Sequence, residues 1–154
     1  MGVNYNGVFH VAQACGREME KYGKQGSIVL IASMSGTIAN RGLHCSVYNS
    51  SKAAVVQLAR NMAMELGPNI RTNSLSPGNV LTPMVKKNFA DQPELREKWE
   101  NGNMLGRIAN AEEFKGPAVF LLSDASSFMT GGDLRVDGES RCPFSSESNT
   151  YVIF

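Results

Sequence analysis

The sequence has 154 residues, of which 42% are hydrophobic and 19% are charged, and its formal net charge at pH 7 is +1. This length allows one domain at most, and the composition excludes a disordered or membrane-embedded chain. Because the charge is nearly balanced, there is no electrostatic basis for binding nucleic acid or an anionic membrane, and we expect neither as a partner.

The three cysteines are widely separated, and no pair of histidines accompanies them. Such spacing indicates neither a zinc site nor a disulfide framework, and it favours a reducing cytosol. The first residues do not resemble a targeting segment. We therefore predict a cytoplasmic protein without a metal site.

The first predicted element is a helix over residues 3–22, whose apolar side chains recur at spacings of three and four. Residues 27–32 are a nearly continuous run of aliphatic and β-branched side chains, which predicts a strand covered on both faces. A second helix is expected over residues 47–66, where one face is apolar, and the Gly-Pro pair that follows ends it.

A short strand is predicted at residues 70–75, followed by a polar, lysine-rich and proline-broken stretch with one weak helix near residues 94–100. We interpret this stretch as a mobile flap. Residues 111–122 predict a third long helix, since acidic side chains stand at its amino end, where the helix dipole favours them. A last strand is expected at residues 133–137, and residues 139–154 are predicted to be an atypical, disordered tail.

Strands separated by helices predict a parallel sheet with right-handed crossovers, and hence an α/β fold of the doubly wound, Rossmann type. Three strands alone would leave the edge of the strand at residues 27–32 unpaired. The sequence also lacks a glycine-rich turn between a strand and a helix, the element that binds a dinucleotide pyrophosphate. We therefore expect residues 1–138 to be the carboxyl-terminal portion of the fold, with the amino-terminal nucleotide-binding half missing.

Tyr48 and Lys52 stand four positions apart at the start of the second helix, and Ser33 follows the first strand. Positions i and i+4 share a helical face, so a phenol and an ammonium can lie side by side there. A tyrosine in water ionises near pH 10, so exchanging protons near neutrality requires that its phenolate be stabilised by about 4 kcal/mol. One ammonium at about 4 Å, in an effective dielectric near 20, contributes on the order of 4 kcal/mol. A single lysine is therefore sufficient in principle.

Five motifs in register resemble the carboxyl-terminal half of a short-chain dehydrogenase/reductase over roughly residues 2–138. The motifs are Asn4 in Val-Asn-Tyr-Asn-Gly, Ser33 in Ile-Ala-Ser-Met-Ser-Gly, Tyr48-x-x-x-Lys52, Pro77-Gly78-Asn79-Val80-Leu81-Thr82, and Thr130-Gly131-Gly132 before Val136-Asp137-Gly138. Any one of them alone would be weak evidence. The loop before Tyr48 and the Cys142-Pro143 pair look most similar to fungal polyol dehydrogenases and sorbose reductases.

The resemblance implies a catalytic role for four of these side chains. Tyr48 would be the acid and base, Lys52 would stabilise its phenolate, and Ser33 would hydrogen-bond the substrate oxygen. Asn4 would anchor a water in a proton relay, although capping its helix is an equally good interpretation. Ser35 competes with Ser33, which we prefer because its Ile-Ala-Ser frame matches the family.

The resemblance also implies a binding site for NAD or NADP, with NADP favoured by the subgroup. Pro77 and Gly78 would end a strand at the carboxyl edge of the sheet, where open α/β sheets bind ligands. The backbone near Val80 and the hydroxyl of Thr82 would contact the nicotinamide carboxamide, unless the Thr-Pro pair is only a turn. Residues 83–104 would then form a substrate flap. The residues assigned to the cofactor are Tyr48, Lys52, Pro77, Gly78, Val80 and Thr82.

The implied activity is NAD(P)-dependent oxidoreduction of a hydroxyl and carbonyl pair, on a sugar alcohol or ketose. Residues 1–138 would be the catalytic part of that enzyme. Since catalytic residues without a cofactor site cannot transfer hydride, a non-catalytic interaction module is the alternative. In the family, helices that match residues 3–22 and 47–66 commonly pack against a second subunit. We therefore expect a small-molecule alcohol or carbonyl substrate and a homo-oligomer formed through these helices.

Overall fold

The structure, a computed structural model, describes residues 1–40 and 43–139. It contains three strands and five α-helices within these ranges, with short 3-10 turns between them. The strands are β1 (Gly26–Ile31), β2 (Ile70–Pro77) and β3 (Asp133–Val136). The helices are α1 (Val8–Lys21), α2 (Ser46–Leu66), α3 (Pro83–Asp91), α4 (Glu94–Asn101) and α5 (Lys115–Leu122).

The strands form one parallel sheet in the order β1-β2-β3, so that β2 is central. Helix α2 connects β1 to β2, and helices α3 to α5 lie between β2 and β3 along the chain. Parallel strands joined by helices confirm the predicted α/β fold class. Because the strands run in the same direction, the segments that leave β1 and β2 both begin at the carboxyl edge of the sheet.

The hydrophobic core lies between the sheet and helices α1 and α2. Ile28 and Leu30 of β1 are buried there against Val55 of α2, which is fully buried. Each such aliphatic side chain contributes about 1.5–3 kcal/mol on burial. On the opposite face of the sheet, the hydroxyl of Ser27 donates a hydrogen bond to the carbonyl of Leu121 in α5, at 2.7 Å. Helix α5 therefore covers the start of β1 on this second face, whereas Ile31 at the end of the strand is 51% exposed, so the predicted coverage of both faces is only partial.

Arg71 on β2 holds the carboxyl end of α5 in place. Its guanidinium donates to the carbonyls of Leu121 at 3.2 Å, Ser123 at 3.0 Å and Met129 at 3.3 Å, and to the hydroxyl of Ser126 at 2.9 Å. A cation at the carboxyl end of a helix is favoured by the helix dipole as well as by these bonds. The contacts fix the turn that leads into β3.

The first predicted helix begins differently from the expectation. Residues Gly2–Gly7 form a π-helical turn, and regular α-helix starts only at Val8. The N–H of Asn6 donates to the carbonyl of Met1 at 3.3 Å, which is the wider i to i+5 pattern of a π turn. The periodicity of apolar side chains does not distinguish this turn from an α-helix.

The predicted flap contains two helices, α3 and α4, instead of one weak helix. Thr82 caps α3, because its Oγ1 accepts a hydrogen bond from the N–H of Val85 at 3.3 Å, and Pro83 occupies the first helical position. The Thr-Pro pair is therefore a helix start and not a plain turn. Phe89 and Trp99 pack edge to face with ring centroids 5.5 Å apart, which joins the two helices.

The helix predicted at residues 111–122 begins as a 3-10 turn, Ala111–Phe114, before α5. The predicted disordered tail lies outside the described residues, except for its first residue, Glu139. In the part of the chain that the structure describes, every helix is too short or too polar to cross a bilayer.

Candidate active site

A cleft of about 290 Å³ opens at the carboxyl edge of the sheet. Its walls come from the turn after β1, the start of α2, the segment after β2, and helices α3 and α4. Five of the residues predicted for the site line it, and these are Ser33, Tyr48, Gly78, Val80 and Thr82. The fold therefore gathers residues that are far apart in the sequence around one space.

Tyr48 and Lys52 lie on the same face of α2. The ring of Tyr48 borders the cleft, and the side chain is 42% exposed. The Nζ of Lys52 lies 5.8 Å from the centre of that ring and donates a hydrogen bond to the carbonyl of Ile31, at 3.1 Å. Burial lowers the pKa of Lys52, because its ammonium loses part of its hydration. The hydrogen bond to Ile31, at the end of β1, thus holds the Lys52 ammonium beside the phenol.

Ser33 follows β1 and starts a 3-10 turn, Met34–Gly36. Its Oγ accepts a hydrogen bond from the N–H of Ser35 at 3.2 Å, and this bond leaves the hydroxyl hydrogen of Ser33 to donate elsewhere. Ser35 lines the same cleft, so both candidate serines are present. A Cβ on Gly36 would lie 2.8 Å from the carbonyl carbon of Lys52, so only glycine lets this turn pack so closely on α2.

Asn4 lies in the π-helical turn, away from the cleft lining. Its Nδ2 donates to the hydroxyl of Ser51 at 3.1 Å, and that hydroxyl donates to the carbonyl of Tyr48 at 2.7 Å. The cap position of the turn is Met1, so Asn4 does not cap it. The side chain instead ties the start of the chain to the helix that carries Tyr48. Its role in a water relay stays a prediction.

Pro77 ends β2, and Gly78 turns the chain into the cleft wall. A Cβ on Gly78 would lie 2.6 Å from the Cα of Asp137, closer than any real contact. Glycine therefore allows the segment to pass beside the end of β3.

The segment after Gly78 offers hydrogen-bonding groups that fit a carboxamide. Leu81 N–H donates to the carbonyl of Ala109 at 2.8 Å, and Ala109 N–H donates to the carbonyl of Asn79 at 3.1 Å. In this parallel bridge the N–H and C=O of Val80 are not paired with Ala109, and the C=O accepts from the N–H of Thr82 at 2.8 Å. Val80 lines the cleft, and its backbone N–H, the second lone pair of its C=O and the Thr82 hydroxyl are groups that could bind a nicotinamide carboxamide.

The cleft also contains residues that the sequence did not predict. Asn40 lies in the loop before α2, Cys45 is the residue that precedes this helix, and Met84 and Trp99 come from α3 and α4. Trp99 is the single tryptophan in the sequence and stands inside the predicted flap, so it could have been suggested as a lining residue. Within residues 1–40 and 43–139, no group of three His, Cys, Asp or Glu side chains could hold a metal ion.

A tyrosine, a lysine and a serine at the carboxyl edge of a parallel sheet are typical of Rossmann-type oxidoreductases. A family model described as "Enoyl-(Acyl carrier protein) reductase" matches residues 1–138. A protein of Aspergillus versicolor named as a short-chain dehydrogenase/reductase is 47% identical over 143 residues, which cover 90% of this chain and 49% of that protein. The chain belongs to the short-chain dehydrogenase/reductase family.

Two further relatives are named for sugar substrates. The ribulose-forming D-arabinitol 2-dehydrogenase of Candida tropicalis is 44% identical over 144 residues, covering 92% of this chain and 51% of the relative. A sorbose reductase of Schizosaccharomyces pombe is 44% identical over 138 residues, covering 90% and 52%. The chain thus spans about half the length of the curated relatives it matches.

Solved structures show the same likeness. A short-chain type dehydrogenase/reductase from Mycobacterium marinum has 45% sequence identity and a TM-score of 0.84, over 91% of this chain and 54% of that one. A gluconate 5-dehydrogenase from Burkholderia cenocepacia, in complex with NADP and tartrate, has 34% identity and a TM-score of 0.80, over 88% and 52%. A 4-hydroxyisoleucine dehydrogenase complexed with NADH has 31% identity and a TM-score of 0.80, over 88% and 55%.

Proposed function

We propose that this chain supplies the catalytic half of an NAD(P)-dependent oxidoreductase that interconverts a sugar alcohol and a ketose. The observation that carries the proposal is the convergence of the Ser33 and Tyr48 side chains and the segment after Gly78 on one cleft, with the ammonium of Lys52 beside the phenol. The printed names of the arabinitol and sorbose relatives support the substrate class.

The contribution of this chain is to move a proton. When bound, the nicotinamide supplies or accepts the hydride. As the carbonyl is reduced, Tyr48 gives its phenolic proton to the substrate oxygen, and in the oxidising direction its phenolate takes that proton back. The hydroxyl of Ser33 donates to the same oxygen, where negative charge develops. Lys52 stabilises the phenolate, and Asn4 belongs to the relay that returns the proton to water.

Lys52 places a positive charge near the phenol that exchanges the proton. Its Nζ lies 5.8 Å from the centre of the Tyr48 ring, and a nearby cation favours the phenolate over the phenol. The Tyr48 side chain is 42% exposed, so a bound substrate and cofactor would cover the ring, lower the local dielectric and strengthen this attraction.

The cofactor is held by two groups of residues. Tyr48 and Lys52 bind the nicotinamide ribose, and Pro77 and Gly78 bring the backbone of Val80 against the carboxamide. The hydroxyl of Thr82 completes this second group. Similarity to the polyol subgroup favours NADP over NAD. Residues 1–138 act as one catalytic part, in the cytoplasm, where widely spaced thiols such as the free Cys15 and Cys45 remain reduced.

A completed enzyme tests the proposal. In it, this chain follows the amino-terminal half of the Candida tropicalis D-arabinitol 2-dehydrogenase, which supplies the part of the relative that the chain does not match. We expect it to convert D-arabinitol to a ketose with NAD or NADP as the oxidant, and product analysis identifies the ketose. A folded completed enzyme that binds NADPH but oxidises no polyol would overturn the proposed substrate class.

A second candidate function is a non-catalytic module that pairs with a second copy of the family fold. Apolar side chains on α1 and α2 favour it, since Val11 is 66%, Val47 71% and Met64 77% exposed. Copurification of this chain with a full-length relative, without nicotinamide binding by the chain alone, supports this function. A monomer that binds NADPH tightly contradicts it.

A further inference from the structure

The orientation of the Asn40 carboxamide is fixed by a chain of hydrogen bonds. The Nδ2 of Asn49 donates to the carbonyl of Ile38 at 3.1 Å and to the Oδ1 of Asn40 at 2.9 Å. A backbone carbonyl only accepts hydrogen bonds, so the Asn49 group that faces Ile38 must be its NH2. The Asn40 atom beside that NH2 must in turn be an acceptor, which makes it the oxygen.

Cys45 lies on the same side of the carboxamide, with its Sγ 3.7 Å from the Oδ1 of Asn40 and 3.7 Å from the carbonyl of Leu43. The Asn40 oxygen is thus turned toward α2, and its NH2 points to the other side of the carboxamide. Asn40 lines the cleft that also contains Tyr48. Asn49, whose NH2 orients Asn40, follows Tyr48 in α2.

The neighbouring walls of the cleft are largely apolar, since Leu43, Met84, Val85 and Trp99 also line it. An oriented NH2 donor among such side chains selects for a ligand oxygen. Sites that hydrogen-bond a substrate oxygen discriminate strongly against analogues that lack it, because the site's polar group is then left unpaired. Apolar contacts alone discriminate far less.

We propose that Asn40 is a specificity-determining residue, whose Nδ2 donates a hydrogen bond to the substrate oxygen on the carbon next to the reacting carbonyl. The proposal rests on the proposed function of the cleft and adds the substrate feature that it recognises. An α-hydroxy ketone, and the vicinal diol formed from it, carry such an oxygen. The residue touches a group that does not react, so it sets substrate choice and not the proton transfer.

Three ketones and three side chains at position 40 test this assignment. The ketones are hydroxyacetone, whose neighbouring oxygen both donates and accepts, methoxyacetone, whose oxygen only accepts, and butan-2-one, which has no such oxygen. Asn40→Asp keeps an oxygen for the bonds to Asn49 and Cys45 but replaces the NH2 donor by an acceptor. Asn40→Leu removes both groups. Asn61→Asp, the same change at an exposed position of α2, is the control.

The readout is the ratio of kcat/KM for each oxygenated ketone to that for butan-2-one, measured in the completed enzyme. We expect Asn40→Asp to lower the methoxyacetone ratio about tenfold while largely keeping the hydroxyacetone ratio, because a hydroxyl can donate to the new carboxylate. Asn40→Leu should lower both ratios, and Asn61→Asp should change neither. Ratios that are the same for all three side chains at position 40 overturn the proposal.

A second measurement uses the chain alone and needs no turnover. The side-chain amide signals of Asn40, assigned by their loss in Asn40→Asp, are followed by NMR during titration with hydroxyacetone and with butan-2-one. We expect these signals to shift with hydroxyacetone and to stay in place with butan-2-one. Signals that respond to neither ketone, or equally to both, overturn the assignment. A folded completed enzyme that binds NADPH but turns over no ketone, together with a selective shift, would reject the proposed function and keep only the recognition of a ligand oxygen by Asn40.

Discussion

The ammonium nitrogen of Lys52 lies 5.8 Å from the centre of the Tyr48 ring, one helical turn away on the same face of α2. The carbonyl of Ile31 at the end of β1 holds it there through a hydrogen bond of 3.1 Å. A contact within the fold therefore positions this cation beside the phenol. Such fixed charge stabilises an anion at little cost in reorganisation.

Lys52→Met tests this electrostatic contribution. It keeps roughly the length of the side chain and removes the charge that favours the phenolate, so kcat of the completed enzyme for polyol oxidation should fall about a hundredfold at pH 7. Arg60→Met removes an exposed cation from the same helix and should leave kcat nearly unchanged. Equal effects of the two substitutions would contradict a specific role for Lys52.

The two serines of the cleft are separated by Ser33→Ala and Ser35→Ala. The hydroxyl of Ser33 accepts from the Ser35 backbone and keeps its hydrogen for the substrate oxygen. We predict that Ser33→Ala lowers kcat about a hundredfold, whereas Ser35→Ala, which leaves that backbone N–H in place, lowers it less than about tenfold. Steady-state kinetics of the two variants of the completed enzyme measure both effects. The reverse order would assign the catalytic role to Ser35.

Gly36→Ala should destabilise the chain. The new Cβ would lie 2.8 Å from the carbonyl carbon of Lys52 and 2.9 Å from the backbone nitrogen of Ala53, and neither can move without shifting α2. Overpacking of this kind costs about 1–3 kcal/mol, which urea unfolding of the chain measures. Gly116→Ala is the matched control. Nothing lies within 4 Å of its Cβ position in α5, so it should stabilise the helix by up to about 1 kcal/mol.

The contribution of Glu113 to the stability of the fold depends on pH in the acidic range. The Arg107 guanidinium, with N–O distances of 2.7 and 2.6 Å, and the N–H of Asn110 at 2.8 Å hold the pKa of Glu113 at about 2. Because the folded pKa lies below the ordinary value of 4.5, the carboxylate stabilises the fold above that value, and this contribution fades as pH falls toward 2.

Glu113→Gln should therefore lower Tm at pH 7, and the difference from the wild type should shrink between pH 4.5 and pH 2. The effect is modest because the pair is exposed to solvent. Glu112→Gln removes the neighbouring exposed charge and serves as the control for net charge. A difference in Tm between wild type and Glu113→Gln that does not change with pH would contradict the role of the ion pair.

The sequence predicts the sheet and the long helices well, because the buried faces of these elements correspond to continuous or periodic runs of apolar residues. Strand β1 and helix α2 are within one or two residues of their predicted bounds. The π turn at the start of the chain and helix α3 were not predicted. The π turn is defined by backbone hydrogen bonds such as that from Asn6 to Met1, which apolar spacing does not reveal. Helix α3 begins at the Thr82 cap, and from the sequence alone the Thr-Pro pair fits a turn or a binding residue equally well.

The motif residues could be identified from the sequence, but their companions in the cleft could not. Tyr48 and Lys52 are recognisable because four positions of a helix bring them together. Asn40 is joined to α2 by its bond to Asn49, nine residues further along the chain, and Trp99 comes to the cleft on α4, one of the two helices after β2. Contacts of this kind depend on tertiary packing, which periodicity does not encode.

Replacing Tyr48 by Phe in the completed enzyme measures the proton-transfer role of this residue most directly. The substitution removes only the hydroxyl, and with it one of several contacts to the cofactor, so fluorescence titration should show NADPH binding weakened by no more than about tenfold. Single-turnover reduction of hydroxyacetone, followed by the loss of NADPH absorbance, should slow about a thousandfold or more. A Tyr48→Phe enzyme that binds NADPH and reduces hydroxyacetone at the wild-type rate would contradict the assignment of the acid and base.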